Sequence, residues 1–239
     1  LALMSGFLRD TGPVIAAIGL AAVLWLVAAG LFSGLNEPAS DPEGGAGLDL
    51  TPLREDATFR HFILVRGLLT VTALAPPYFV ILGGGQAALQ GLGALVLASS
   101  AAAFAGSYVW GRLADRSSRL VLAGAGGCAA VFAGLAVAAQ AVGWADSPWV
   151  IPATLFGFML SYQGVRMARS TFLVDFAPEA DRATYTALAN TAIGVLLLVT
   201  GAIGGLLALA GASVALTGFA VIGALGGGLA LRLPEVEKR

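Results

Sequence analysis

The sequence predicts an all-α membrane protein, a polytopic bundle of seven transmembrane helices. Three observations lead there. Of the 239 residues, 58% are hydrophobic and only 11% are charged, whereas soluble domains carry about 25% charged residues. Seven apolar stretches each reach the roughly 20 residues that a helix needs to cross the hydrocarbon core. The loops joining them alternate, one set holding nearly all the Lys and Arg and the other almost none. Membrane strands would need only about 9–11 residues with polar alternation, a pattern none of the stretches shows.

The opening "LALMSGFL" lacks a basic segment followed by a cleavage site, so it reads as the tail of a helix whose start precedes Leu1 rather than as a signal peptide. Residues 1–35 then hold that tail and one full span at 12–35. The stretch "NEPASDPEGGAGLDLTPLREDATFR", 36–60, is rich in Pro, Gly and acidic residues and reads as a solvated linker. Its second half, with Thr51 as N-cap and Pro52 at the first helical position, predicts a short surface helix. Six spans follow at 61–83, 89–111, 119–143, 149–173, 184–208 and 212–232. They form one domain over 61–232, and 233–239 is a tail.

Within the span at 61–83, Pro76 and Pro77 interrupt the helix and leave carbonyls without donors, which a bilayer tolerates only where neighbours or cavity water satisfy them. Tyr78 beside them reads as an interfacial anchor rather than a gate. "GAGGC" at 124–128, "GAIGG" at 201–205 and "GALGGG" at 223–228 place small residues at helical spacing, which lets helix backbones approach closely.

Charge decides the sides. If the linker, the 111–119 loop, the 166–182 segment and the C-terminus share one side, every Lys and Arg except Arg9 lies on or near it. The positive-inside rule then puts the linker and the C-terminus in the cytoplasm, with the chain integral to the cell (inner) membrane.

Several function classes lose support. Cys128 is the one cysteine and His61 the one histidine, so no internal disulfide and no Cys/His metal site is expected. Cys128 reads as a small packing residue and His61 as an interfacial side chain. No His-Glu-x-x-His, no Gly-x-Ser-x-Gly and no phosphate loop occurs, so no catalytic residue, metal or cofactor is assigned. The basic residues are spread over loops rather than gathered on one face, which speaks against nucleic acid.

The loop "GRLADRSSRL", 111–120, follows the third span. Gly111, Leu113, Asp115, Arg116 and Arg119 stand at the spacing of the signature G-x-L-x-D-R-x-G-R-R, and here the chain resembles the major facilitator superfamily. Ser118 stands where that family prefers Gly, and Leu120 where it prefers a second basic residue. A second stretch, "GVRMARSTFLVDFAPEADRATYTALANT" at 164–191, is similar to the region of helices ten and eleven, with Arg166, Asp175, Pro178 and Arg182 as markers. The resemblance implies a C-terminal six-helix half plus the helix before it, about helices 6 to 12 of twelve. It implies a secondary active transporter working by alternating access, with the missing N-terminal half as partner. It further implies that Gly111, Asp115, Arg116 and Arg119 form a cytoplasmic latch of the outward-open state, and that the helix bends at Pro76 and Pro77 during gating.

Read from its residues alone, the loop lets Asp115 accept bonds from Arg116 or Arg119, or face the N-terminus of a neighbouring helix. The arginines by themselves could equally be a topogenic cluster.

A polar layer inside the bundle gives the candidate cavity: Arg66, Thr70, Tyr162, Gln163, Arg166 and Asn190. Arg66 lies about 9 Å into its helix, and Asn190 lies at similar depth from the same side. Tyr162, Arg166 and Arg169 share a helical face; Arg169 is expected to snorkel to the interface, while Arg66 and Arg166 fit either role. Thr72, Ser99, Ser100, Tyr108 and Thr191 are weaker candidates, because such hydroxyls often bond their own helix. No Asp or Glu falls inside a predicted span, and the arginines favour an anionic small-molecule solute in a low dielectric. A non-transporting scaffold or receptor is the alternative; an intramembrane hydrolase is less favoured.

Overall fold

The computed structural model describes residues 19–20, 22–31, 33–34, 50–83, 87–179 and 181–236. The "LALMSGFL" tail, Arg9, most of the linker and the last three residues lie outside them. The chain divides into two compact units, Leu1–Gly47 and Leu48–Arg239. In the first, the described part is an apolar helix, α1 (Ala22–Leu31).

The second unit opens with α2 (Thr51–Glu55), which has Pro52 in its first turn. Leu50, not Thr51, occupies the N-cap position, and Thr51 is already helical. Asp56 then turns extended and starts α3 (Ala57–Val71), its carboxylate accepting the Phe59 N–H at 2.9 Å. This cap satisfies one of the donors that a helix start leaves orphaned.

The interruption expected at the prolines is present. After α3 the chain tightens into a 3-10 turn (Thr72–Leu74) and resumes as α4 (Pro76–Leu82). Pro76 has no N–H for the Thr72 carbonyl, and Ala75 donates to that carbonyl instead at 3.0 Å.

The remaining helices are α5 (Ala87–Ala114), α6 (Ser118–Ala141), α7 (Val150–Phe176), α8 (Arg182–Leu209) and α9 (Ala212–Ala230). Ser117 caps α6 by accepting the Leu120 N–H at 3.2 Å. Gly211, at φ 121°, makes the short turn from α8 into α9, a conformation that favours glycine.

Contacts between helices define two ends. The basic end gathers the start of α3, the α5–α6 turn, the end of α7, the start of α8 and the chain after α9. There Phe62 stacks on Phe172 with ring centroids 4.7 Å apart, and Phe59 meets Tyr185 edge-on at 4.5 Å. At the opposite end Phe79 packs on Phe158 at 5.1 Å and Tyr78 on Phe219 at 5.5 Å. Tyr78 thus packs against α9 through its ring.

No strand occurs among the described residues. Among the described residues, four helical segments are long and apolar enough to cross a bilayer: Ala57–Leu82, Ser118–Ala141, Arg182–Leu209 and Ala212–Ala230. Seven spans were expected. α7, at 27 residues, has the length, but Tyr162, Gln163, Arg166, Arg169 and Asp175 dilute the apolar character of its second half. α8 exposes Val195, Leu198, Val199, Ile203, Leu206 and Leu209, a row that suits lipid contact and would be a large apolar patch in water.

Of the two singletons, Cys128 departs from the sequence reading. Cys128 is exposed rather than packed. His61, half-buried, places Nε2 2.9 Å from the Leu229 carbonyl, so that nitrogen carries the proton and ties α3 to α9.

Candidate functional site

On α3, Phe62, Arg66 and Thr70 follow at intervals of four residues and share a stripe. The Phe62–Phe172 stack holds that stripe against α7. Gly67, next to Arg66, brings α8 close: a Cβ there would lie 2.5 Å from Leu196 Cδ1. At this separation the Arg66 guanidinium spans to α8 and donates to Asn190 Oδ1 at 2.6 Å.

Arg66 is 7% exposed, and its Nε is buried with no acceptor. A guanidinium has five donor hydrogens in a fixed fork, so one amide oxygen leaves most of that capacity unused. From α7, Arg169 donates to the buried Thr70 hydroxyl at 3.2 Å. It thus crosses to α3 instead of snorkelling outward. Arg166, one turn away, is exposed and makes no side-chain hydrogen bond among the described residues.

These three arginines line one cleft of about 370 Å³ between α3, α7 and α8, together with Met167, Ser170, Leu173, Val174, Thr186 and Asn190. No Asp or Glu is among its lining residues. Ser170 donates its hydroxyl proton to the Met167 carbonyl and Thr186 to the Arg182 carbonyl, so the donors left for a ligand are the guanidiniums and the Asn190 amide. Guanidinium, hydroxyl and amide groups neither give nor take protons near neutrality. The arrangement is suited to binding rather than acid–base chemistry.

The polar layer expected from the sequence is therefore split. Arg66, Arg166 and Asn190 meet in the cleft, and Thr70 supports it through Arg169. Tyr162 packs against the apolar core at the basic end. Gln163, on α7, packs against α5, where a Cβ on Gly106 would sit 2.6 Å from the Gln163 Cβ. The sequence reading missed Ser170 and Thr186 as lining residues and misjudged Arg169; its position three residues after Arg166 was the available signal.

The latch residues also separate. Arg119 donates to the Leu233 carbonyl at 3.4 Å and pairs with Glu235 at 2.9 Å. Its acid is thus in the segment after α9 and is not Asp115. Asp115 and Arg116 are exposed and unpaired among the described residues. Gly111 meets nothing closer than ordinary contact, Met167 Cε lying 3.9 Å from a Cβ built there. Glu235 was legible only as an acid on the same side as the arginine-bearing turn.

No family model matches the chain, and no curated protein matches it.

Proposed function

We propose that this chain belongs to a secondary transporter of the major-facilitator kind, moving a small solute by alternating access of two helical halves about the arginine-lined cleft. In this reading the unit Leu48–Arg239 is one half, α1, α5 and α7 join the four apolar segments as membrane spans, and α7 turns its polar face to the cavity. The basic end faces the cytoplasm.

The observation that supports the reading best is the cleft itself. A bilayer protein gains nothing in stability from three arginines without a carboxylate partner, and ionisable groups at such depth mark solute paths. The break at Pro76 and Pro77 gives the helix carrying Arg66 a place to flex between its halves. The signature-like spacing of Gly111, Asp115, Arg116 and Arg119 is the sequence's own link to the family.

Uptake of candidate solutes into proteoliposomes containing the protein tests this. Arg66→Ala and Arg166→Ala should each abolish uptake while the protein still inserts. Uptake at the unsubstituted rate in both variants would refute the reading. Asp115→Asn should shift the resting population toward inward-open, and unchanged cysteine accessibility from both sides would remove the latch.

A further inference from the structure

We infer that the cleft between α3, α7 and α8 binds a phosphoryl group, with Arg66, Arg166 and Arg169 as its ligands. The inference rests on the reading of that cleft as the solute site and adds the chemistry of the solute.

Charge comes first. Three guanidiniums line the cleft and no carboxylate does, so an anion is needed to balance them where water is scarce. Inorganic phosphate or a phosphomonoester carries about −1.5 to −2 near pH 7 and offsets more of this charge than a single carboxylate, whereas a lipid phosphodiester is singly charged and would be favoured by its diverging oxygens alone.

Geometry comes second. A planar carboxylate is satisfied by one guanidinium fork, whereas the oxygens of a phosphoryl group diverge and suit donors arriving from several directions. Here donors arrive from α3 (Arg66), α7 (Arg166 and Arg169) and α8 (the Asn190 amide).

Unused capacity comes third. Among the described residues, the two deeper arginines are held by neutral acceptors only, Asn190 Oδ1 and Thr70 Oγ1. These contacts fix the forks without cancelling their charge. Arg66 Nε is buried with no acceptor, and the residue is 93% buried by its 7% exposure. Asn190 Oδ1 takes only one of the five N–H donors of Arg66, and an oxyanion in the cleft supplies acceptors for those of the terminal nitrogens.

The same group could arrive on a free solute or on an anionic lipid headgroup, since the mouth at Arg166 and Val174 is exposed. The test is the thermal unfolding midpoint of the full chain in maltoside detergent, titrated with inorganic phosphate, acetate or chloride at constant ionic strength. Phosphate should raise the midpoint by about 3 °C or more at ten times its half-saturating concentration. It should half-saturate at least tenfold below acetate. Arg166→Gln, at an exposed position that folding does not need, should weaken phosphate by about tenfold. Arg112→Gln, outside the cleft, should leave it unchanged.

Equal responses to phosphate and chloride, or equal phosphate responses in the Arg166→Gln and unsubstituted proteins, would overturn the inference. Nanodiscs separate the two sources. If phosphatidylglycerol alone raises the midpoint and phosphate then adds nothing, the group is a lipid headgroup. If phosphate adds equally in phosphatidylglycerol and phosphatidylcholine, it belongs to a solute; both results uphold the phosphoryl site. Phosphate binding without any uptake leaves the site standing while the transport reading falls. Arg66-dependent uptake of a neutral solute without phosphate binding does the reverse.

Discussion

Between α6 and α9 the two backbones touch. A Cβ added at Gly126 would lie 2.8 Å from both the Gly223 carbonyl oxygen and Gly227 Cα, and one at Gly227 would lie 2.8 Å from the Ala123 carbonyl oxygen. Between α3, α7 and α8 the contacts are made by long side chains around a cleft: Arg66 to Asn190, Arg169 to Thr70, and the ring stack of Phe62 on Phe172. The first seam leaves no room for adjustment, because its contacts are backbone atoms that cannot change rotamer. The second is bridged by side chains, which can change rotamer. A close-packed frame and a side-chain-lined cleft are thus built from different residue types, glycine and alanine in one, arginine, asparagine and phenylalanine in the other.

The harshest way to break that contrast is to put a side chain into the frame. Gly227→Leu should cost about 3 kcal/mol or more, or prevent folding, since backbone atoms of α6 occupy the space. Gly228→Leu, with nothing within 4 Å of its Cβ, should unfold at the unsubstituted temperature in detergent. If the two variants behave alike, the seam is not what holds α6 to α9.

The site should respond differently. Asn190→Leu removes the one acceptor that Arg66 has among the described residues and should lower stability by about 1–2 kcal/mol in denaturant titration. Arg66→Met in the same titration should be neutral or stabilising, because an imperfectly paired buried charge is replaced by an apolar chain of similar length. A large loss in Arg66→Met would make the cleft part of the frame.

Smaller effects are expected at the basic end. Asp56→Ala deletes the α3 cap and should cost about 1 kcal/mol, seen as a lower midpoint and faster amide exchange in the first turn. Glu235→Gln removes an ion pair whose side chains are 31% and 39% exposed. That should change the midpoint by less than about 1 kcal/mol, and the difference should vanish in high salt.

Much of the helix layout was legible in the sequence. The stretches at 119–143 and 184–208 lie within about two residues of α6 and α8, because an apolar run and the charges that end it are local facts. The break at Pro76 was equally legible, since a missing N–H has the same consequence in any fold. The site was legible only in part. Arg66, Arg166 and Asn190 could be placed at one depth by counting 1.5 Å per residue. Tyr162 and Gln163 could be placed there too, and they turned instead to the core and to α5. For Asp115 the sequence left Arg116, Arg119 and a helix N-terminus open as partners, whereas Arg119 pairs with Glu235, beyond α9.

The sequence by itself determined that this is an all-helical, strongly apolar chain with its positive charge gathered in alternate loops. Those properties follow from composition and spacing, which add residue by residue. Only the tertiary structure decided which arginine meets which acceptor. Each residue advances a helix by about 100°, so a small rotation or shift of one helix against another exchanges every cross-helix partner. The packing that sets those rotations, Gly126 on Gly227 and Phe62 on Phe172, is a property of pairs of helices that no single helix contains.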